Sequence, residues 1–279
     1  MFYLQLRNEL WKLFGKKRTY IGFLMFLLAQ NVIILIFRFT NGPRVSMMRT
    51  LEGNGYLAGE FISALTVATF ILLPIACILL PLYVSLIGGD LVAKEAEDGT
   101  LRMILSRPIS RLRLLLLKWL AGAIFSLILV LALGLFGGVF GSLWFPWKGL
   151  FVFIPGELFS VFDARGGLEH YGAAHLLMVA NAFTIMGLAF MFSCFNVKPA
   201  AATILALSFV FVSFIMQNIP YFHDLQHWFL TYHLNVWRFM FAQPIPWWRV
   251  GESLSVLLGF NLTFLVVGVT AFQVRDIKS

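Results

Sequence analysis

The hydrophobic pattern divides the chain into long apolar stretches separated by shorter polar connections. Each stretch is close to the roughly 20 residues that an α-helix needs to cross about 30 Å of hydrocarbon. The stretches lie near residues 19–37, 61–87, 114–142, 172–195, 200–219 and 251–271. They are continuous and rich in Leu and Ala rather than alternating, which argues against a membrane β-barrel. The pattern therefore predicts an all-α, polytopic integral membrane protein with six transmembrane helices in a single domain, residues 1–279.

Residues 1–18 precede the first span and predict an amphipathic helix. One face carries Phe2, Leu6, Leu10, Leu13 and Phe14, and another carries Gln5, Asn8, Glu9, Lys12 and Lys16, while Leu4 and Trp11 lie off the apolar face. Basic residues opposite Leu and Phe favour a helix that lies in the headgroup plane. The alternative is a plain cytoplasmic extension of the first span.

The distribution of positive charge sets the expected orientation. The chain is 60% hydrophobic, only 12% of its residues are charged, and its mean hydropathy is +0.86. With both termini cytoplasmic, 14 of the 21 Lys and Arg residues fall on the cytoplasmic side. The sequence thus predicts a plasma (inner) membrane protein with cytoplasmic N and C termini. The net charge of +8 lies mostly beside span ends, where it meets anionic membrane lipids, so no nucleic-acid partner is predicted.

Two longer connections are rich in aromatic residues and proline. Residues 143–171 and 220–250 are predicted to be extracytoplasmic aromatic segments, each forming short interfacial or re-entrant helices broken at the prolines. The connection at 40–60 is short and shows no chemical motif. In the third span, Gly134 with Gly138 and Gly137 with Gly141 form small-xxx-small pairs, which predict close helix packing.

Known catalytic and cofactor-binding patterns are missing from the sequence. It contains no G-x-x-x-x-G-K-[ST] phosphate loop, no G-x-S-x-G elbow and no H-E-x-x-H pair. His223 and His227 would lie one turn apart on an α-helix beside Asp224, but the spacing fixes no third ligand and histidine suits interfacial segments. We therefore assign no catalytic, cofactor-binding or metal residue.

The spans contain essentially no acidic side chains, and Lys118 is expected to extend to the cytoplasmic boundary. An ion-driven carrier would therefore have few coupling groups. If the protein transports a substrate, the energy is expected to come from another subunit.

Residues 94–111 concentrate charge between two apolar spans in the stretch KEAEDGTLRMILSRPISR. The pattern predicts a helix that continues the second span and stops at Gly99, followed by a short helix capped by Thr100 and ended by Pro108. Leu101, Ile104 and Leu105 would form its small apolar face. A solvated charged loop is the alternative interpretation.

The segment KEAEDGTLRMILSRPISRLRLLLLKWL resembles the hallmark of the type-2 ABC transporter (ABC-2) permeases. That hallmark is Glu-x-x-x-Gly-Thr-Leu after the second span, a Leu-rich turn, Pro-[Ile/Val]-Ser-Arg, and a Lys that opens the third span. The matching residues are Glu95, Gly99, Thr100, Leu101, Leu105, Pro108, Ile109, Ser110, Arg111 and Lys118. The motif covers about a tenth of the chain, and the N-terminal helix and the six spans match more loosely.

The resemblance implies a permease subunit that works as a dimer, with a second copy or a related chain, and with a separate ABC ATPase (nucleotide-binding) subunit. ATP and Mg would bind to that partner, so this chain would carry no cofactor and would not itself be an enzyme. Residues 88–113 would be the cytoplasmic coupling segment that contacts the ATPase. The residues expected at this ATPase-coupling contact are Lys94, Glu95, Glu97, Asp98, Gly99, Thr100, Leu101, Arg102, Leu105, Arg107, Pro108 and Arg111.

Two other functions stay open at this point. The chain could be a membrane-bound enzyme acting on lipid or envelope substrates, or a non-transporting anchor or assembly subunit. The sequence names neither the cargo nor the identity of the second membrane chain. The segment at 143–171 is longer than in the simplest members of the family that the chain resembles.

Overall fold

The membrane-spanning helices dominate the architecture. The computed structural model describes residues 2–106 and 109–275. Within these residues, six helices are long and apolar enough to cross a membrane, which confirms the predicted all-α fold. The spans are α2 (Lys17–Phe39), α5 (Ala64–Pro74) continued by α6 (Leu80–Glu97), α8 (Arg111–Trp144), α9 (Ala164–Cys194), α10 (Pro199–Asn218) and α12 (Trp247–Val274).

Shorter elements lie at the two ends of this bundle. At one end, α1 (Phe2–Phe14) precedes α2, and α7 (Thr100–Leu105) follows α6. The opposite end carries α3 (Asn41–Gly53), α4 (Ala58–Phe61), a pair of strands, and three short helices after α10. Those three are a 3-10 helix over Pro220–Trp228, α11 (Leu230–Leu234) and a second 3-10 helix over Val236–Phe241.

The second span is interrupted by one π-helical segment. Pro74 ends α5, and Ile75–Leu79 form the π-helix before α6 begins. Proline has no N–H to donate to the preceding turn, and a π-segment is a common way to accommodate such a break within a long helix.

The fourth span, α9, is the centre of the bundle and contacts α6, α8, α10 and α12. It is the most buried of the spans. Polar side chains also join it to its neighbours: the amide of Asn261 donates to the hydroxyl of Thr184 over 2.7 Å, and the amide of Asn181 donates to the carbonyl of Leu234 over 3.1 Å. In an apolar surrounding such hydrogen bonds fix the pairing of helices.

The glycines of α8 allow close approach at three of four predicted positions. A Cβ at Gly134 would lie 2.7 Å from the His175 ring, one at Gly137 would lie 3.0 Å from the Tyr171 hydroxyl, and one at Gly141 would lie 3.1 Å from the Ala64 carbonyl. A Cβ at Gly138 would meet nothing within 4 Å. The predicted close packing is therefore confirmed except at Gly138.

Residues 143–171 do not form the short helices predicted from sequence. Instead, β1 (Leu150–Ile154) and β2 (Leu158–Phe162) form an antiparallel hairpin. The strands consist mainly of Phe, Val, Ile and Leu and flank a Pro155-Gly156 turn, in which Gly156 has the positive φ of 76° that a type II turn needs. The backbone N–H of Phe151 donates to the Thr66 hydroxyl over 2.9 Å, which ties the hairpin to α5.

The segment at 220–250 does contain the predicted short helices, whereas the connection at 40–60 holds a helix, α3, that the sequence analysis did not identify. Helix α3 begins directly after α2 and carries Arg44, Arg49 and Glu52 on its exposed side. Helix α3 lies on the surface of the bundle, so it has too few apolar residues to be predicted as a membrane span.

We predict opposite effects for alanine at two glycines. A Cβ at Gly88 would lie 2.5 Å from the Met186 carbonyl and 2.9 Å from the Ala189 Cβ, so Gly88→Ala should separate α6 from α9. Overpacking should outweigh the gain in helix propensity and cost about 1–2 kcal/mol. The matched control Gly138→Ala has open space and should be neutral or stabilising. Thermal unfolding in detergent measures both, and equal midpoints would contradict the packing described for α6 and α9.

Candidate functional site

The bend between α6 and α7 has the geometry predicted for its glycine but not for its threonine. Helix α6 ends at Glu97, and Gly99 adopts a left-handed φ of 73°, as expected for a helix stop. Gly99 also occupies the N-cap position of α7, so the prediction that Thr100 caps this helix is wrong. Thr100 is instead the first helical residue, and its hydroxyl donates to the Glu95 carbonyl over 3.3 Å. This hydrogen bond connects the start of α7 to the last turn of α6 across the bend.

Helix α7 has an inner and an outer face. Leu101 is buried, and Ile104 and Leu105 are half-buried against the bundle, which confirms the predicted apolar face. Arg102 and Met103 point outward, and Met103 is 65% exposed. Arg107 and Pro108, which the sequence analysis also assigned to this site, lie outside the described residues.

The exposed charges near the bend form a small surface network. The Lys94 ammonium lies 2.9 Å from a Glu97 carboxylate oxygen and 3.1 Å from one of Asp98. All three side chains are more than a third exposed. Exposed pairs of this kind contribute little to stability. These side chains could therefore exchange their present ion pairs for ion pairs with a partner at a small cost in free energy.

A second charge network lies directly behind the bend, around the buried Lys118. The Lys118 ammonium of α8 lies 2.8 Å from Glu95 of α6 and 2.9 Å from Glu9 of α1. Lys12 of α1 pairs with the same two carboxylates, at 2.7 Å from Glu9 and 3.0 Å from Glu95. Two cations and two anions thus compensate one another and join three helices.

The Lys118 side chain is only 2% exposed, so the expectation that it extends to the boundary is wrong. Its ammonium stays inside because two carboxylates face it there. Desolvating an ion is costly unless it is paired and hydrogen-bonded. Of the predicted site residues, Glu95 is therefore engaged inside the protein, with its side chain 16% exposed.

The pKa values of the α1 residues reflect this network. Burial alone would raise the pKa of Glu9, but the charge of Lys118 and the hydrogen bonds from Lys12 and Lys118 outweigh burial and lower it. Burial would lower the pKa of Lys12, but its hydrogen bond to Glu9 and the charges of Glu9 and Glu95 raise it. Both groups are thus held charged around neutral pH.

Helix α1 exists as predicted, but it is rotated relative to the predicted polar face. Glu9, which the sequence placed on the polar face, is buried beside Leu13, and α1 packs on α8. Leu4 and Trp11 point away from the bundle, and Trp11 is 71% exposed. An exposed Trp beside exposed Arg7 and Lys12 suits the membrane–water interface.

Arg111 links the start of α8 to the end of α12. Its guanidinium donates to the carbonyls of Gln273, Arg275 and Phe272 over 3.0, 3.2 and 3.4 Å. A cation on the last carbonyls of a helix also complements its dipole. The sequence analysis placed Arg111 at the contact with a partner, whereas the structure shows its side chain occupied within the chain.

An open crevice of about 970 Å³ separates α1 from the α6–α7 bend. Trp11 and Lys12 line one wall, Thr100 and Met103 line the other, and Lys118 lies among the lining residues. The crevice therefore joins the outer side of the bend to the buried charge network.

The histidine arrangement considered from sequence does not form. His223 and His227 lie in a 3-10 helix, in which residues four apart differ by about 120° around the axis rather than stacking. His233 instead places its Nε2 2.9 Å from the His227 carbonyl. Across residues 2–106 and 109–275, no three His, Cys, Asp or Glu side chains form a group that could hold a metal ion.

The sequence analysis omitted several residues that the structure brings to this site. Glu9, Lys12 and Lys118 complete the buried network, and Met103 is the exposed apolar residue of α7. Lys118 was a usable signal, because a lysine followed by a long apolar run needs a carboxylate partner.

Comparison with known proteins gives two findings. Residues 12–233, most of the chain, match the family model described as ABC-2 family transporter protein. A protein of Bacillus subtilis strain 168, called uncharacterized protein YhcI, is 23% identical over 219 residues, which cover 72% of this chain. The matched part spans 66% of that relative, just under two thirds of its length.

We predict that Lys118→Met destabilises the protein by about 3 kcal/mol, because it leaves Glu9 and Glu95 with one cation between them. Adding Glu95→Gln should recover part of the loss, since one uncompensated charge is removed. Chemical denaturation in detergent measures the free energy of unfolding. Lys94→Met, which breaks only exposed pairs, is the matched control, and an equal effect of the two lysine variants would contradict the network.

We also predict that acid releases α1. The pKa of Glu9 is lowered, so its contribution is complete above the ordinary value of 4.5 and is lost as the pH falls through the lower folded value. The pKa of Lys12 is raised above 10.5, so its contribution persists until strongly alkaline pH. Between these limits α1 should stay docked.

Double electron–electron resonance can measure this release. Spin labels at Leu4→Cys and Leu116→Cys, with Cys77 and Cys194 replaced, should show a broadened distribution of the label-to-label distance in acid. The same labels in a Glu9→Gln background should show no transition attributable to this carboxylate. An unchanged acid transition in that background would contradict the assignment to Glu9.

Proposed function

The chain belongs to the ABC-2 family of transporter proteins, and on that premise we propose that it is the permease subunit of an ATP-binding cassette exporter. It would couple ATP hydrolysis by a separate nucleotide-binding subunit to movement of a substrate across the membrane. The observation that carries this proposal is the bend at Gly99, where α7 presents an outer face of mixed charge on an anchored inner face. Such a face has the composition of a docking site for a soluble partner.

The outer side of the bend would make the contact itself. Glu97, Asp98 and Arg102 supply charges of both signs for orientation, and Met103 supplies an adaptable apolar surface. Lys94 would exchange its exposed pairs with Glu97 and Asp98 for pairs with the partner. The crevice between α1 and α7 gives a protruding element of the ATPase room to enter.

The inner side of the bend would transmit the movement. Gly99, Thr100, Leu101 and Leu105 hold α7 at a fixed angle to α6. Glu95 joins α6 to α1 and α8 through Lys12 and Lys118, and Arg111 joins α8 to α12. We propose that Glu95 and Arg111 act as positioning residues for this transmission rather than as contact residues. Arg107 and Pro108 stay proposed contact residues for the ATPase, as predicted from the sequence.

The same arrangement supports the proposed orientation. Arg111 contacts the carbonyl of Arg275, and Lys12 contacts Glu95, so α1, α7 and the end of α12 lie at one end of the bundle. We propose that this end faces the cytoplasm of a plasma (inner) membrane, where ATP and Mg are held by the partner ATPase. A second copy or a related permease chain would complete the transport unit.

Two competing functions are separated by simple measurements. A membrane-bound enzyme acting on lipid or envelope substrates would be active in the purified chain without any ATPase. A non-transporting anchor or assembly subunit would bind the ATPase, but vesicles containing both subunits would show no uptake or efflux.

We predict that Arg102→Glu weakens binding of the partner ATPase about tenfold or more, because it reverses a charge at the proposed contact. Co-purification and stimulation of ATP hydrolysis measure the effect. Arg165→Glu, the reversal of another exposed arginine at the opposite end of the bundle, is the matched control. Equal loss in both variants would point to a general charge effect and contradict the contact.

Two further variants of the same experiment address transmission. Gly99→Pro cannot adopt the positive φ of 73°, and Glu95→Lys places a third cation in the buried network. Both should insert into the membrane but uncouple ATP hydrolysis from transport. Full transport by either variant would refute the role of the bend.

A further inference from the structure

An apolar cavity of about 230 Å³ lies at the end of the bundle opposite α7. Helix α3 covers it with Pro43 and Met47, while Phe37 of α2, Leu73 of α5 and Phe151 of β1 form part of its walls. The 3-10 helix Val236–Phe241 closes it with Trp237 and Phe241. Elements that are distant in sequence thus enclose one apolar space.

The walls of this cavity do not suit water. A buried water needs two to four polar partners, and apolar cavities of this size stay dry and accept apolar ligands. The polar side chains among its lining residues are Ser46, Thr50 and Thr69. Thr69 is 94% buried, and its hydroxyl has no hydrogen-bond partner among the described residues. An occupant would therefore be apolar, with one polar group near Thr69.

Part of the cavity wall lies on the outer surface of the helix bundle. Phe70 and Leu73 line it, and they are 50% and 38% exposed on the surface of a membrane-spanning helix. If the cavity were empty, the atoms of its walls would lack van der Waals contacts on one side. Acyl chains of neighbouring lipids are the abundant apolar material that can fill it.

A polar crevice continues the cavity on the other side of α3. Asn41, Gly42 and Arg49 line the crevice, which shares Ser46 and Thr50 with the cavity. Arg38 and Arg44 are also exposed at this end, outside the lining of the crevice. Among residues 2–106 and 109–275, no carboxylate lies within 4.0 Å of these three guanidinium groups. The crevice is therefore a cationic surface next to an apolar space.

The depth of these features matches that of a lipid. Thr69 lies five residues, or about 7.5 Å, along the helix from Ala64, which is close to the thickness of one interfacial layer of a bilayer. Phe39 and Trp144 stack edge to face with centroids 5.9 Å apart at this end, as expected at the boundary. On this basis we place the crevice at headgroup level and the cavity at the level of the first acyl carbons.

We propose that this site binds an anionic phospholipid of the bilayer, with one acyl chain in the cavity and the phosphate at Arg49. Helix α3 is the wall that both parts share, so it holds the lipid between its apolar and its basic face. A guanidinium forms paired hydrogen bonds with a phosphate. Phosphatidylcholine carries a phosphate too, but its choline cation is repelled by the arginine, so a headgroup with net negative charge is favoured. The lipid binds the permease chain itself and does not require the ATPase.

Purified chain without any ATPase, in nanodiscs with equal amounts of phosphatidylglycerol and phosphatidylcholine, tests this proposal. Native mass spectrometry should show one retained phosphatidylglycerol in clear excess over phosphatidylcholine. Arg49→Gln should lower that occupancy about tenfold, because a charge-assisted hydrogen bond is lost, and Arg49→Lys should keep most of it. Met47→Trp should fill the cavity and exclude both lipids.

Arg249→Gln is the matched control, since Arg249 is exposed at the same end and stacks on Trp248 rather than lining the site. Equal retention of both lipids by the unmodified chain would overturn the proposal. So would equal losses in Arg49→Gln and Arg249→Gln, or unchanged occupancy in Met47→Trp. These readouts stand apart from transport, so a failure here leaves the proposed function untouched.

Discussion

The buried ammonium of Lys118 is the constraint on which the arrangement of the helices depends. A cation that is 2% exposed must have carboxylates in contact, and here they come from two other helices, Glu9 of α1 and Glu95 of α6. Lys12 then balances the second negative charge. Hydrophobic packing in lipid distinguishes poorly between neighbouring helices, because lipid tails are as apolar as the side chains. A charge network of this kind specifies which helices meet and at what height, and it does so next to the bend that carries α7.

The rigid and the adaptable parts of the molecule lie at different places along the spans. Helix α9 holds the centre through close glycine contacts and hydrogen bonds such as that between Asn261 and Thr184. The exposed side of α7, in contrast, carries a long flexible Met103 and surface charges of low individual value. A rigid interior with an adaptable outer surface suits the proposed role, in which a separate ATPase subunit binds α7 and moves it.

The sequence predicted those features that depend on local pattern. Apolar runs indicated the six spans because length and composition alone decide whether a helix can cross a bilayer, and Gly99 stood at a helix stop where a positive φ is needed. Features that depend on contacts between distant residues were missed. Lys118 and Glu9 are 109 residues apart, so no spacing rule pairs them. The hairpin at 150–162 differs from the predicted broken helices, because a short run of Phe, Val, Ile and Leu without alternation does not distinguish a strand from an interfacial helix.

The π-helical segment at Ile75–Leu79 sets the rotational phase of everything that follows it in the second span. A π-segment accommodates about one extra residue within a helix, which turns the next part by about 100° around the axis. Further along α6, Asp90 forms an ion pair with Arg18 of α2 and Glu95 forms one with Lys118, and both carboxylates follow the π-segment in the chain. Their direction therefore depends on this offset. Deleting a single residue near Pro74 would preserve the hydropathy and length of the span, yet it would aim both carboxylates at the wrong neighbours. A gap at this turn in an alignment of relatives would therefore indicate a change in the rotation of α6 about its axis. It would not be neutral variation in an apolar helix.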